Sequence, residues 1–419
     1  MNSIFEHVYH KNDDSSATVQ EIQTLLNHVV PINDDGEGIK EFISEIISNF
    51  SLEEPIKIAG SHQAITDFLS QDIDKFDAIL GVSDLVNLDF PNESGMAKFV
   101  PTRYLKFDIL GEDSNEVGNR NIRSIYRAKQ NFLDHFYNID KFTDFALVHD
   151  FKFLVLNDFQ SLNKNQDILN RKAKFRFIEA DGETYFRSLV SHERYKTFDN
   201  SIVFYISLSK ISAFSQNNNL KFDLNYMYMT DSKLELTFME TTSHLVNDSI
   251  SIQTGINVRN SELGDGAAVF NFVYKIINNK NQNIMLQRSV LANINHGHAP
   301  HTISRELEKI DDFISSREEL IKMLGNIDWE KNIEESSAEY ALIFTRIEGL
   351  KKSRSLPKDA KTKLLNAIDS KSIANKVINL LQILGMLSKS VEDESREVQR
   401  IVEDRLNKLI VEISHRNFN

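Results

Sequence analysis

The sequence predicts an α+β fold, with a central antiparallel β-rich domain between an N-terminal helical region and a C-terminal helical bundle. Two observations predict it. Apolar residues follow helical spacing near the start of the chain and again after residue 301, whereas they alternate with polar residues between about 144 and 290. The predicted boundaries give an acidic, mostly helical region at 1–100, a β-rich domain at 101–300 and a helical bundle at 301–419.

Composition excludes several classes of site. The chain has 419 residues and no cysteine, so disulfides, thiolate zinc sites and thiol nucleophiles are excluded. It has no apolar run of about 18 residues or more, and its first residues lack the basic-then-apolar pattern of a signal peptide. We therefore expect a cytoplasmic protein that does not enter a membrane.

The charge is unevenly distributed. The first 100 residues hold 5 Lys and Arg against 18 Asp and Glu, so they account for the whole formal charge of −13. The rest of the chain is balanced, and a basic surface there is compatible with the overall acidity.

Helical spacing indicates the elements at the N-terminal side. Residues 16–30 and 38–50 are predicted helices, the first ended by Pro31, and Ser61 is a candidate N-cap for a third. A further helix is predicted over 119–139. In such a helix Arg120, Arg123 and Arg127 would share one face.

Turn-forming residues divide the central region into strand pairs. "FRFIEA" and "TYFRSLVS" flank Asp181-Gly182, and "LNYMYMT" and "KLELTFMET" flank Asp231-Ser232. The stretch "INVRNSELGDGAAVFNFVY" (256–274) also places an acidic, glycine-containing segment between two strands. Because an alternating strand follows rather than a helix, a phosphate-binding loop is rejected and a turn is favoured. Residues 200–214 fit either a helix or a strand, and Asp199 or Asn200 could cap a helix there.

The C-terminal part is predicted to be helical, with Gly325, Gly349 and Pro357 as breaks. The last helix, 391–415, has one apolar stripe. That stripe could pack within the bundle or form a homo-oligomer contact, and it is made by Val391, Val398, Ile401, Val402, Leu406, Leu409 and Ile410.

A nucleic-acid interface is predicted from "RKAKFRF" (171–177). As a strand, this stretch places Lys172, Lys174 and Arg176 on one face and aromatic residues on the other. The aromatic face would pack in the core, and the basic face would bind phosphates in a salt-sensitive manner. Arg187 and Arg194 follow shortly after, and the arginines of the predicted helix could join them. Tyr226 and Tyr228 could stack on bases.

A metal site is the second candidate. His296, His298 and His301 lie within "NHGHAPH", and imidazole binds zinc, manganese and iron. The alternative is a polar loop whose histidines cap the next helix or bind backbone. No cofactor is expected other than a divalent metal, either at this cluster or between the carboxylates of Glu262 and Asp265.

Three elements resemble a known family. "FRSLVSHERYKTFDN" (186–200) and "NINHGH" (293–298) are similar to two family elements, and 256–276 resembles the family pattern NSE-x-G-x-G followed by alternating apolar residues. The family is of unknown function (domain of unknown function 932 type) and occurs mainly on plasmids and prophages. Where it often has Cys-x-Asn-Gly, this chain has "KIINNKNQN". The resemblance implies a mobile-element origin and an association with DNA.

The sequence therefore favours a non-enzymatic, DNA-associated protein of phage or plasmid type that binds single-stranded or duplex nucleic acid through residues 171–194. Two alternatives stay open. One is a metal-dependent nuclease or hydrolase that uses the three histidines with a carboxylate. The other is a protein-interaction module in phage–host conflict that acts through the acidic N-terminal region.

Overall fold

The computed structural model describes residues 3–33, 36–53, 55–71, 74–91, 103–111, 121–196, 198–278, 283–334, 336–367 and 378–416. Within these ranges the chain has an α+β fold, with antiparallel sheets in the middle and helices towards both ends, as predicted. None of the described helices has both the length and the apolar character needed to cross a membrane.

A seven-stranded central sheet contains most of the predicted hairpins. Its strands from β10 onwards form an antiparallel meander, and β1 and a short parallel β3 pair along β10. The strands are β1 (Glu6–His10), β3 (Ile58–Ala59), β10 (Phe222–Thr230), β11 (Lys233–Leu245), β12 (Ile250–Ser261), β13 (Ala268–Asn278) and β14 (Asn283–Ile294).

A second seven-stranded sheet has the order β2-β4-β8-β9-β7-β6-β5. It is mostly antiparallel, with parallel pairs β2–β4 and β7–β9. Its strands are β2 (Ile32–Asn33), β4 (Lys75–Gly81), β5 (Leu85–Asp89), β6 (Lys106–Ile109), β7 (Ile122–Ser124), β8 (Lys172–Ala180) and β9 (Glu183–Val190).

The helices cover both sheets. They are α1 (Val19–Thr24), α2 (Gly36–Asn49), α3 (Ser61–Leu69), α4 (Ala128–Tyr137), α5 (Asp140–Val148), α6 (Lys152–Leu162), α7 (Gln166–Leu169), α8 (Asn200–Asn217), α9 (Pro300–Leu307), α10 (Phe313–Gly325), α11 (Ala338–Gly349), α12 (Lys358–Ala367), α13 (Leu380–Lys389) and α14 (Arg396–His415). α1 continues as a short 3₁₀ helix over Leu25–His28. The helical segment thus ends just before Pro31, as predicted.

The strand pairing crosses the predicted boundary at residue 100. β1 belongs to the central sheet, whereas β4 and β5 belong to the second sheet. The acidic first hundred residues therefore contribute strands to both sheets, and the boundaries at 100 and 300 stay a prediction.

Two large apolar cores follow from the two sheets. The first packs one face of the central sheet against α8 and the C-terminal helices, and the second packs β8 and β9 of the second sheet against α4–α7. The opposite face of the central sheet is polar, because cross-strand neighbours such as Tyr228, Glu235 and Arg259 share it.

Residues 200–217 form a helix, which resolves the ambiguity of that segment. Almost all sides of α8 are buried between the N-terminal helices and the central sheet, so its sequence shows no amphipathic period. Asp199 precedes the helix, but its carboxylate makes no capping hydrogen bond. It accepts from the backbone N–H of Val30 and pairs with Arg176 instead.

The helix predicted over 119–139 begins only at Ala128. Residues 122–124 pair instead with β6 and β9 as the strand β7. Arg123 and Arg127 therefore do not share a helical face, and Arg120 lies outside the described residues. The prediction of a three-arginine helix face is wrong.

The apolar stripe of the last helix packs inside the protein. Val391, Val398, Val402, Leu406, Leu409 and Ile410 are buried in the first core, and Ile401 packs against it. The stripe is therefore used within the chain and is not available for a homo-oligomer contact. Oligomerisation through another surface of these helices stays a prediction.

Candidate anion-binding groove

The predicted basic strand face is buried. The alternation itself is confirmed, because Phe175 and Phe177 face the second core. On the other side, however, Lys174 is 4% and Arg176 is 0% exposed, and only Lys172 at the strand end is open to solvent. The prediction of a solvent-exposed basic face is therefore wrong.

Arg176 is fully occupied by groups from distant parts of the chain. Its Nε lies 3.0 Å from Asp77 Oδ1 and its Nη2 lies 2.6 Å from Asp199 Oδ1. Its Nη1 donates to the Tyr195 hydroxyl at 3.1 Å and to the Glu262 carbonyl at 2.9 Å. With these donors satisfied and no access from solvent, Arg176 is a structural residue and not a phosphate ligand.

Glu262, from the turn between β12 and β13, is the second centre of this network. Its carboxylate lies 2.7 Å from Arg187 Nη1 and 2.9 Å from Lys75 Nζ, and accepts from the backbone N–H of Asn200 at 2.9 Å. Burial alone would raise the pKa of the Glu262 carboxyl, but Lys75, Arg187 and Arg176 hold it well below its usual range. The acidic segment of the stretch 256–274 is therefore a turn with a buried, ionised carboxylate.

The remaining predicted basic residues are dispersed. Arg194 is exposed in the turn after β9, and Arg123 forms an ion pair with Glu183 at 2.7 Å. Arg187 is 1% exposed. The structure therefore does not bring the predicted residues together as one open surface.

The three histidines do not form the predicted metal site. His296 is 4% exposed and stacks on Tyr195 with ring centroids 4.9 Å apart, whereas His301 is exposed. Across the described ranges, no group of three or more His, Asp or Glu side chains is placed to hold a metal ion. Burial, followed by the charge of Arg176, lowers the pKa of His296 to about 4. His296 is thus a neutral core residue at physiological pH.

A groove of about 990 Å³ lies beside the buried network. Its floor is the polar face of the central sheet near the β10–β11 turn. One wall is the start of α14, and the other is the segment before α4 together with the β12–β13 turn. Six basic side chains line it: Arg127, Arg187, Lys233, Arg259, Arg396 and Arg400.

Of the five described carboxylates that line the groove, two are in ion pairs and two accept hydrogen bonds from hydroxyl groups, which leave their negative charge in place. Glu235 binds Arg396 at 2.9 Å, and Glu394 binds Lys363 at 2.6 Å. Asp265 accepts from the Ser261 hydroxyl at 2.5 Å, and Glu6 is hydrogen-bonded to Tyr228. Glu397 is the remaining lining carboxylate.

Three of the lining cations are not matched in this way. Within the described part of the chain, Arg127, Lys233 and Arg259 form no ion pair with a carboxylate. Burial, followed by the nearby charge of Arg400, lowers the pKa of Arg259. These three charges are therefore not neutralised by a direct ion pair, and Glu235 and Glu403 act on Arg259 only at longer range, which favours the binding of an anion.

The base of the groove adds a buried donor. Arg187 uses Nη1 for Glu262, while its Nη2 has no hydrogen-bond partner among the described residues. The same Nη1 lies 3.3 Å from the Ser232 hydroxyl, which donates to Asp231 at 2.8 Å. A chain of hydrogen bonds thus fixes the orientation of Arg187 before any ligand arrives.

Tyr126 is held rigidly at the groove wall. Its φ of 53° lies in the left-handed region, which is unfavourable for an aromatic residue. Its hydroxyl lies 2.7 Å from both carboxylate oxygens of Asp231. Local strain in a lining residue is a frequent property of binding sites.

The sequence contains a signal for this groove, although it was not predicted. In "INVR" the apolar residues Ile256 and Val258 alternate with the polar residues Asn257 and Arg259, which places Arg259 on the polar face of its strand. Its cross-strand neighbour Glu235 occupies the same kind of position in "KLELTF". α14 packs near this face, so that Arg396 contacts Glu235 although the two are 161 positions apart. No local sequence pattern predicts this contact.

Comparisons with protein-family models, curated proteins and solved structures found no match. The resemblance to the plasmid and prophage family therefore stays a prediction.

Proposed function

We propose that this protein is a non-enzymatic, cytoplasmic nucleic-acid-associated protein that binds a single-stranded segment in the groove. The observation that carries the proposal is the presence of three lining cations, Arg127, Lys233 and Arg259, without a carboxylate partner among the described residues. Phosphate groups would supply the missing negative charge, and binding would be salt-sensitive.

The size and lining of the groove favour a single strand over a duplex. Its volume of about 990 Å³ is at the upper end of the range of about 300–1,000 Å³ typical of small-ligand pockets. A duplex is too wide to enter such a space, whereas one or a few unpaired nucleotides fit. Tyr126 and Tyr228 line the groove and offer aromatic surface for unpaired bases.

The proposal moves the predicted phosphate contacts from the β8 strand to the groove. The metal-dependent hydrolase has no ligand set among the described residues. The interaction module acting through the acidic N-terminal region stays a prediction.

The test is a salt series with a fluorescently labelled oligothymidine and the triple variant Arg127→Gln, Lys233→Gln, Arg259→Gln. We expect the variant to bind at least about tenfold more weakly at low salt, with the slope of log affinity against log salt flattened by about 2, since each lost phosphate contact removes about 0.7. The control is Lys172→Gln, Arg194→Gln, which removes two exposed charges outside the groove and should leave both quantities unchanged.

Two outcomes would contradict the proposal. One is an equal loss in the control variant, because the binding would then follow general surface charge. The other is competition by a free mononucleotide as effective as that by the oligonucleotide, which would make the ligand a small molecule. Circular dichroism of each variant checks that the fold is retained.

A further inference from the structure

An exposed apolar surface lies on α5 and α6. Phe145 and Phe153 are 57% and 58% exposed. The α5–α6 patch consists of Phe142, Phe145, Val148, Phe151, Phe153 and Leu154. The other large apolar residues that are exposed in the described ranges, such as Val8, Leu245 and Val290, are separated along the chain.

Packing of the second sheet does not account for these residues. The inward sides of the two helices already supply Ala146, Leu147, Val155 and Phe159 to the second core. The helices are therefore apolar on an outward side as well as on the inward side. Concentration of large apolar side chains on one surface is typical of a protein interface and not of free surface.

Charges around the α5–α6 patch restrict what can cover it. Asp140, Asp150 and Asp158 have no cationic partner in the part of the chain that the structure describes. Two nearby lysines already form ion pairs: Lys129 lies 2.8 Å from Asp144, and Lys152 lies 2.7 Å from Asp89. Among the described residues, Lys141 and Arg127, which shares a pocket with Phe142, are the exposed cations beside the patch, and the three unpaired carboxylates outnumber them, so the rim is acidic.

An acidic rim around an apolar centre disfavours three occupants. Phosphates of nucleic acid and anionic lipid headgroups would be repelled by the carboxylates. A second copy placed symmetrically over the patch would bring one acidic rim against another. A basic, amphipathic partner meets both the apolar centre and the charges of the rim.

We propose that the α5–α6 patch is the docking surface for an amphipathic helix of a partner protein, with apolar residues on one face and Lys or Arg on its flanks. The helix lays its apolar face on Phe145, Phe151 and Phe153, and its basic flanks pair with the rim carboxylates. None of the patch residues lines the groove, although Phe142 shares a smaller pocket with Arg127 and Asn131 of the groove edge.

The probe is a synthetic amphipathic peptide of Leu and Lys, about 18 residues long so that it is helical, with a Leu and Glu peptide of the same pattern as its charge-reversed counterpart. We expect the Leu and Lys peptide to bind the full-length protein, and the variant Phe145→Asp, Phe153→Asp to bind it at least about tenfold more weakly. The matched control is Leu245→Asp, Val290→Asp, which adds the same charge at exposed apolar positions elsewhere and should bind the peptide like the wild type.

Three results would overturn the proposal. The first is equal binding of the Leu and Glu peptide. The second is a wild-type dimer in light scattering that Phe145→Asp dissociates, since a second copy would then be the occupant. The third is loss of oligothymidine affinity in the patch variant with normal affinity in the control, which would make the phenylalanines a base-stacking surface. If the aspartate variant does not fold, Phe145→Ser, Phe153→Ser takes its place with the same expectations.

Discussion

At the scale of single residues, the properties of the site depend on which side chains are buried. Lys172 and Arg176 lie four residues apart on the same strand face, yet one is exposed and the other is enclosed by Asp77, Asp199 and Tyr195. The alternation of the strand could be predicted from the sequence. The partners could not, because Asp77 lies 99 positions away and nothing local indicates that it pairs with Arg176.

His296 gives a pH-dependent prediction. Its ring is buried and stacked on Tyr195, and its pKa is lowered from the ordinary 6.5 to about 4. Between these values the unfolded chain binds a proton that the folded protein does not. The contribution of His296 to the free energy of unfolding is therefore fully present above pH 6.5 and is lost as the pH falls towards 4. The expected loss from this group is about 3 kcal/mol, since each pKa unit corresponds to about 1.4 kcal/mol.

The measurement is the free energy of unfolding in urea at pH 7 and pH 4.5 for wild type and His296→Phe, which keeps an aromatic ring against Tyr195. We expect the variant to lose less stability on acidification. The carboxylate network adds its own loss below the ordinary pKa of 4.5 of Glu262, and both proteins share that loss. Identical pH profiles would show that the imidazole is not kept neutral by the fold.

At the scale of secondary-structure elements, the sequence predicted the strands better than the helix starts. The Asp181-Gly182 hairpin is confirmed, with both residues at positive φ of 54° and 73°. The β7 strand was missed because its three residues carry no periodicity of their own and are ordered by β6 and β9. Tertiary pairing decided the structure there.

The turn between β12 and β13 gives a prediction about glycine. Gly264 has φ +73°, and a Cβ on it would lie 2.6 Å from Val190 Cγ1. Gly182 has the same φ with nothing within 4 Å of that position. Backbone strain alone costs about 1–2 kcal/mol for a residue with a side chain in this region, so Gly182→Ala should cost about that much and Gly264→Ala should cost more.

Urea unfolding of the two single variants measures this difference. Equal losses would mean that Val190 moves aside without cost and that the turn is not tightly packed. Because the Gly264 turn lines the groove, oligothymidine affinity should also fall in Gly264→Ala and stay constant in Gly182→Ala.

At the scale of the whole molecule, the buried charge network joins the two sheets. Arg176 and Asp77 belong to the second sheet, whereas Asp199 leads into α8 and Glu262 follows β12 of the central sheet. The turn of the stretch 256–274 therefore lies at the junction of the two sheets. The fold class was predictable from residue patterns, but this junction depends on contacts between segments far apart in the chain.

Removal of the central cation should destabilise both layers together. Arg176→Gln leaves Asp77 and Asp199 buried without their counter-charge, which costs about 3–5 kcal/mol. We expect one cooperative transition at lower urea, seen equally by circular dichroism and by the emission of the single tryptophan, Trp329, which is buried near α10.

The control is Lys172→Gln on the same strand, which should change stability by less than about 0.5 kcal/mol because the side chain is exposed. Two separate transitions in Arg176→Gln, with tryptophan emission unaffected by the first, would show that the sheets unfold independently and that the network does not couple them.

Because the Arg176 network is buried, dissolved ions do not reach its charges. Dissolved salt screens charges that water can reach, over about 10 Å at 0.1 M, and acts far less on groups sealed inside the protein. High ionic strength should thus strip an anion from the open groove while the scaffold beneath stays intact. If the groove binds an anion as proposed, we expect that one protein sample can be unloaded and reloaded by dialysis between concentrated and dilute buffers.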